Sequence, residues 1–328
     1  MIIVTGGAGF IGSNLVAGLE ARGLTDIVVC DRLGSEDKWR NVARRELAAI
    51  IPPERLFEFL NDYRADIEII YHMGAISTTT ETDVDRIIAN NITLSLDILR
   101  WCTRAGVRLI YASSAATYGD GSAGFDDESS IEALARLRPL NPYGWSKHLF
   151  DRRVARLVYE EDRLPPQWVG LKFFNVYGPN EYHKGEQASV ASKLYPQIIM
   201  GEPARLFRSH RPDYEDGGQL RDFVWVGDCV DVMLWLYNCR FVNGVFNIGT
   251  GEARSFKSLA LATFGAAGLT SNIVYVDMPE DLRDKYQYYT QANINRLRTA
   301  GYKKPFTSLE EGIRLYVQNY MATLDPYL

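Results

Sequence analysis

The chain opens with Ile2-Ile3-Val4-Thr5, a β-prone apolar run that passes directly into Gly6-Gly7-Ala8-Gly9-Phe10-Ile11-Gly12. An amphipathic stretch follows, from Phe10 to about Arg22. Strand, glycine turn and helix in this order constrain everything downstream. Gly6 allows a tight turn, Gly9 lets backbone approach a pyrophosphate, and Gly12 leaves room for the helix to pack on a sheet. The N-terminal end of that helix, beginning at Phe10 and Ile11, points its free N–H groups at the phosphates. A second strand over 26–30 then ends at Asp31, about twenty residues on, where a carboxylate can bind an adenosine ribose. A purely structural glycine turn is the rival reading, but the flanking strand, helix and acid favour a dinucleotide.

The remaining chain repeats the pattern. Strands are expected at Ile2–Thr5, Ile27–Asp31, Ile67–Met73, Leu109–Ala112 and Trp168–Phe174, with helices between them, notably Asp83–Ala105 and Tyr143–Tyr159. Such alternation implies right-handed crossovers and a Rossmann-type, doubly wound parallel sheet in the α/β class. After Val176 the pattern breaks: Pro179, Pro196, Pro203 and Pro212 punctuate shorter elements, and residues 208–220 are polar and loop-like. Strand-like pieces return at Arg221–Val226 and Val245–Ile248. The expectation is a dinucleotide-binding domain over 1–175, with parts of about 221–250 returning to it, and a smaller, discontinuous substrate-binding lobe mainly over 176–328.

Composition narrows the class of partner. A net charge of −5 over 328 residues argues against nucleic-acid binding. No apolar run reaches membrane-spanning length, and the first residues already form a core strand, so no signal peptide is expected. The four cysteines (Cys30, Cys102, Cys229, Cys239) are scattered without a Cys-x-x-Cys spacing. They read as reduced thiols in a cytoplasmic protein without a metal site.

Chemistry concentrates in Tyr143-Gly-Trp-Ser-Lys147, preceded by Tyr111-Ala-Ser-Ser-Ala-Ala-Thr117. Residues four apart lie one turn above the other on a helix face. A phenol ordinarily loses its proton near pH 10, and a neighbouring ammonium and the positive ring of a bound nicotinamide both favour the phenolate and lower that value. Tyr143 is therefore a proton-transfer group, with Lys147 as its charged neighbour and as an anchor for the dinucleotide's ribose. Ser114 or Thr117, at the end of the preceding strand, offers a hydroxyl to the substrate oxygen. The bland alternative is a surface Tyr and Lys on an amphipathic helix.

These pieces, with His72-Met-Gly-Ala75, Asn90-Asn91 and Asn175-Val-Tyr-Gly-Pro179, resemble the extended short-chain dehydrogenase/reductase family, and within it the nucleotide-sugar epimerases and dehydratases. The resemblance implies that Met73, Gly74, Ala75, Asn90 and Val176 also line the dinucleotide site. Dehydratases of that family carry acids where this chain has Ala115 and Ala116, which leaves epimerisation. Lys184, in Phe174-Asn-Val-Tyr-Gly-Pro-Asn-Glu-Tyr-His-Lys184, together with Arg221-Asp-Phe-Val224, Phe246-Asn-Ile-Gly-Thr-Gly251 and Ala300-Gly-Tyr-Lys-Lys-Pro-Phe306, is similar to the ADP-glyceromanno-heptose 6-epimerases. That resemblance implies tightly bound NADP, Tyr143 and Lys184 as two acid/base groups on opposite sides of the substrate, and a homo-oligomer, commonly a pentamer. His183 and Lys184 as phosphate contacts are the weaker alternative. A UDP-hexose 4-epimerase using NAD, a non-catalytic dinucleotide-sensing protein and a net reductase are the rival functions.

Dinucleotide choice is expected to turn on Asp31, which suits NAD, against Arg32 and Lys38, which suit a 2′-phosphate. The family has a basic residue where this chain reads Pro52-Pro53, a gap that Arg44, Arg45 or Arg55 would have to fill. On the substrate side, Arg205, Arg208, Arg211 and Arg221 surround a polar loop with His210, and arginine forks suit phosphate oxygens. Arg221 is the favoured contact. The resemblance adds Ser77, Asn175, Phe207, Ser209 and Tyr286 to the substrate site. Glu186 and Lys193 belong to it as departures, standing where relatives carry small or histidine residues.

Overall fold

A computed structural model describes residues 1–283 and 286–328. Seven strands, all parallel, form the central sheet: β1 (Ile2–Thr5), β2 (Ile27–Cys30), β3 (Ala49–Ile51), β4 (Ile69–His72), β5 (Arg108–Ser114), β6 (Trp168–Phe173) and β7 (Gly244–Ile248). Their spatial order is β7-β6-β5-β4-β1-β2-β3. The chain therefore reverses direction across the sheet between β1 and β4, where open α/β sheets bind ligands at the carboxyl ends of their strands.

Most of these strands are unbroken apolar runs rather than alternating ones, because helices cover both faces. On one face Val4, Leu15, Val16, Leu19, Met233 and Leu236 pack together, bringing α1 (Phe10–Glu20) against the helix Val226–Asn238. On the other, Ile3, Val28, Leu60, Ile70, Leu99, Phe150 and Val154 join the helices Leu94–Ala105 (α2) and Pro142–Tyr159 (α3) to the sheet. A separate core of Leu194, Ile198, Leu206, Phe223, Leu259, Phe264, Ile313 and Tyr316 lies beyond the carboxyl end of β6. No helix among the described residues is long and apolar enough to cross a membrane.

Three local expectations change. The third strand, Ala49–Ile51, is a three-residue edge with Ile50 half exposed, too short and too one-sided to show in the periodicity. The helix expected over 83–105 starts at Val84 and widens into a π turn over Ile88–Thr93 before α2. The single strand expected over 221–226 is split into Leu220–Arg221 and Phe223–Trp225. Asp222 lies between them, and its carboxylate accepts N–H bonds from Thr250, Gly251 and Ala292 at 2.7, 2.9 and 3.0 Å. The split marks a change of partner, since Leu220–Arg221 pairs antiparallel with Arg254–Ser255 and Phe223–Trp225 parallel with Asn175–Tyr177.

Candidate active site

The glycine turn is built by exclusion. Gly6 holds φ +66°, and a Cβ there would lie 2.5 Å from the Gly74 nitrogen; one on Gly12 would lie 2.1 Å from the Gly6 oxygen. The turn thus nests against β4's exit as tightly as backbone allows. No side chain caps α1, so its first N–H groups are left for a ligand. This is a cradle that side chains would fill, and it fits a pyrophosphate.

β1 and β4 are pinned side by side by one histidine. His72 Nδ1 meets Thr5 Oγ1 at 2.7 Å and its Nε2 meets Ser95 Oγ at 2.9 Å. Burial drives the imidazole down to about 3, so it stays neutral. The π turn brings Asn91 inward: its Oδ1 accepts from Ile76 N at 2.8 Å, and its Nδ2 donates to Ile76 O and Ser146 Oγ. One side chain thereby ties the segment after β4 to the helix carrying Tyr143.

A cleft of about 320 Å³ opens at the carboxyl ends of these strands. Gly6, Gly9, Phe10, Ile11, Gly12, Asp31, Lys38, Met73, Gly74, Ala75, Ser77, Ser114, Tyr143, Lys147, Val176 and Lys184 all line it. Arg32 and Asn90 line an adjoining cavity of about 250 Å³ that shares Gly6, Asp31, Lys38, Gly74 and Ala75. Asn175, Arg221 and Tyr286 line a third, of about 760 Å³, which meets the cleft at Ser114, Tyr143, Phe173 and Phe174. The glycine turn and the arginine chamber are thus continuous, with Tyr143 at their junction.

Asn141 caps α3, its side chain accepting from Gly144 N, and Pro142 opens the first turn. That cap fixes the helix end from which Tyr143 projects. Lys147, one turn on, donates to Ala112 O at 2.8 Å, and burial lowers its ammonium to about 8. Burial raises the Tyr143 phenol, while the Ser114 hydroxyl beside it acts the other way. The expected net lowering of Tyr143 is therefore not produced by the protein's own groups, because desolvation of the phenolate dominates. Of the two hydroxyl candidates, Ser114 faces the cleft. Thr117 is fully buried, donating to Ser114 O at 2.8 Å and accepting from Lys172 Nζ at 2.7 Å.

Lys184 sits in a short turn, Tyr182–Gln187, with its Nζ 5.1 Å from the centre of the Phe10 ring. Burial lowers its ammonium, opposed by the carboxylate of Glu181. His183, on the same wall, meets Asn41 Nδ2 at 3.1 Å, and burial together with Lys38 and Lys184 holds it neutral at about 4. At the adenosine end, Asp31 accepts from Ala8 N at 2.9 Å and from Lys38 Nζ at 2.6 Å, while the Arg32 guanidinium pairs with Glu54.

The expected arginine cluster is not assembled. Arg221 is buried between the rings of Phe256 and Tyr286, 5.6 and 5.2 Å from their centres, with an edge on the chamber. Arg208 instead pairs with Asp277, brought in after the strand Ile273–Val276, and Arg211 with Asp213 of its own loop. Ser209 N donates to Asp216 and His210 N to the Tyr288 hydroxyl, and neither residue lines the three cavities. Phe207 stands one ring behind, edge-on to Tyr286 at 6.3 Å. Glu186 and Lys193 pair with each other at 3.0 Å on the surface, outside the three cavities. Phe173, Phe174 and Gln187 line the cleft without having been anticipated, because strand-end phenylalanines read as core and a lone glutamine carries no signal.

Residues 2–249 match the model of the NAD dependent epimerase/dehydratase family. The chain is 49% identical over 330 residues, covering all of both chains, to the ADP-L-glycero-D-manno-heptose-6-epimerase of Nitratidesulfovibrio vulgaris strain DP4. Among solved structures it resembles the Helicobacter pylori ADP-L-glycero-D-manno-heptose-6-epimerase, at 26% identity and a TM-score of 0.75 over 97% of this chain and 95% of that one. It also resembles the UDP-glucose 4-epimerase of Thermus thermophilus in complex with NAD, at 26% identity and a TM-score of 0.73 over 96% and 97%. With its glycine cradle at the β1/β4 crossing and its tyrosine–lysine helix alongside, the chain belongs to the NAD-dependent epimerase/dehydratase family.

Proposed function

We propose that this chain inverts C6 of ADP-D-glycero-D-manno-heptose to give ADP-L-glycero-D-manno-heptose, using a nicotinamide dinucleotide that it retains through turnover. The observation that carries the reading is Lys184 on the same cleft as Tyr143. A hexose 4-epimerase would need the tyrosine but not this second buried amine. The heptose epimerase that is 49% identical over the full length supports the same choice of sugar.

The glycine cradle and α1 would hold the pyrophosphate, Asp31 and Lys38 the adenosine ribose, and Lys147 the second ribose. Bound there, an oxidised nicotinamide dinucleotide supplies a reversible hydride acceptor that is also a positive charge. The protein's task is to move protons and present both faces of one carbon. Tyr143 and Lys184 supply two proton-transfer groups on one cleft, and burial shifts both towards their uncharged forms, raising the phenol and lowering the ammonium. Each epimer presents its hydroxyl to one of them, and the roles exchange when the oxidised sugar turns over. Ser114 donates a hydrogen bond to the oxygen as it becomes a carbonyl. Arg221, stripped of water between two rings, engages the diphosphate, and the widening of the cleft into a chamber of about 760 Å³ gives the sugar room to rotate.

NADP is the form we propose, with Lys38 and Arg32 turning from Asp31 and Glu54 to a 2′-phosphate and NAD as the alternative. Residues 1–175, with Gly244–Ile248 and the helix before it, serve as the dinucleotide-binding domain, and the remainder as the substrate lobe. A cytoplasmic homo-oligomer, a pentamer by family resemblance, completes the reading; light scattering on the purified protein tests its size.

The purified protein, without added dinucleotide, is to be incubated with ADP-D-glycero-D-manno-heptose and with UDP-galactose and followed by NMR. Inversion of the heptose at C6 is expected. Inversion of the hexose alone would sink the assignment, and stoichiometric consumption of added NADPH would remove the epimerase reading altogether.

A further inference from the structure

Lys184 lies in a connection between the short strand Asn175–Tyr177 and the helix Val190–Ile199. Connections are the mobile parts of a fold unless something outside them fixes their backbone. Two sets of bonds do so here. Asn180, left-handed at φ +70°, donates to Ser13 Oγ at 3.0 Å and more weakly to Asn41 O. Asn41 in turn donates to Ala8 O at 2.8 Å and to Asn180 O at 3.1 Å, and meets His183 Nδ1 at 3.1 Å. This set ties the Lys184 segment to the glycine turn.

The second set comes from residues 325–328. Leu324 stands fully in solvent, yet Tyr327, three residues later, is only 7% exposed, so the chain leaves the surface and returns to dock. Leu328 N donates to Asn180 Oδ1 at 3.0 Å, and the Tyr182 hydroxyl donates to Pro326 O at 3.1 Å. The Tyr182 and Tyr327 rings meet edge to face at 5.3 Å. Arg44 holds the other side, donating to Tyr327 O at 2.9 Å and to the Asp325 carboxylate at 2.6 Å, while Arg40 lies 4.4 Å over the Tyr327 ring.

We propose that residues 325–328 are a strap that positions Lys184, with Tyr327 and Arg44 as positioning residues acting through Tyr182 and Asn180. The proposal rests on the acid/base reading of Lys184 given above. Its bonds go to the Lys184 segment and to Arg40 and Arg44, which flank Asn41, the residue that reaches Ala8 of the glycine turn. Its contribution is geometric, since a proton-transfer group displaced by about 1 Å loses much of its effect.

The test uses the full chain with Tyr327→Ala and Arg44→Ala. Amide exchange in residues 180–187 is expected to accelerate about ten-fold or more with the sheet strands unchanged. The kcat for ADP-D-glycero-D-manno-heptose should fall about ten-fold with KM within about two-fold. Tyr327→Phe, which keeps the ring, should restore both readouts. In a Lys184→Met background, Tyr327→Ala should cost nothing further, because the group it positions is gone. Unchanged exchange in 180–187, an unchanged kcat in both alanine variants, or losses that multiply in the double variant would each overturn the proposal. A near-normal rate for Lys184→Met alone overturns instead the reading of Lys184 beneath it, and exchange in 180–187 keeps the two failures distinguishable.

Discussion

Tyr143 and Lys184 face the same obstacle with opposite consequences. Taking either out of water penalises its charged form, which raises a phenol and lowers an ammonium. Tyr143→Phe and Lys184→Met are each expected to lower kcat by about 10²–10⁴-fold, the usual worth of a positioned acid or base, while the dinucleotide stays bound. Stopped assays and the absorbance of the purified protein check both halves of that statement; a near-normal Lys184→Met rate would reject the two-base role. Lys147 adds a pH dependence. Its ammonium is held at about 8, so charge is present below that pH and lost above it. The kcat/KM profile should therefore fall as pH rises through about 8, and Lys147→Arg, which keeps its charge, should remove that limb at some cost in rate.

Beneath the site, three elements are joined by one ion pair. Lys172 on β6 donates to Asp151 on α3 at 2.8 Å, and Asp151 also accepts from Ser113 on β5 at 2.7 Å. Both partners are fully buried. Lys172→Met is expected to destabilise the fold by about 3–5 kcal/mol, because it strands the Asp151 carboxylate without its cation; urea unfolding of the variant measures it. Nothing in the sequence marked Lys172 as more than one residue of a strand, since its partner lies 21 positions away on a helix. The same limit explains the other misses. The glycine turn, the tyrosine–lysine helix and the long strands were readable because their logic is local: three-residue glycine spacing, a one-turn offset, unbroken apolar runs. The strand split at Asp222, Arg208 turning to Asp277 and Thr117 turning to Lys172 are decided by partners brought from elsewhere. Even the tyrosine's proton affinity followed that rule, for sequence supplied its lysine neighbour but not the depth of its burial.

In the whole molecule, β4 occupies the middle of the sheet with β1 beside it, and the outermost strand on one side arrives late. Between β6 and β7 the chain builds much of the second core and then returns, so Trp168–Phe173 gains its outer neighbour only when Gly244–Ile248 has been made. At synthesis rates of 5–20 residues per second that interval is roughly 4–15 s. During it, β6 presents an unpaired apolar edge, the kind of template that recruits other chains. A fragment comprising residues 1–239 is therefore expected to bind hydrophobic dye and to aggregate where the full chain does not, and a monomeric, dye-free fragment would refute this. The order of strands that places a ligand site at the β1/β4 crossing thus also sets a hazard for biogenesis: a half-made copy is sticky along β6, and heat, crowded expression or chaperone shortage should be felt there first.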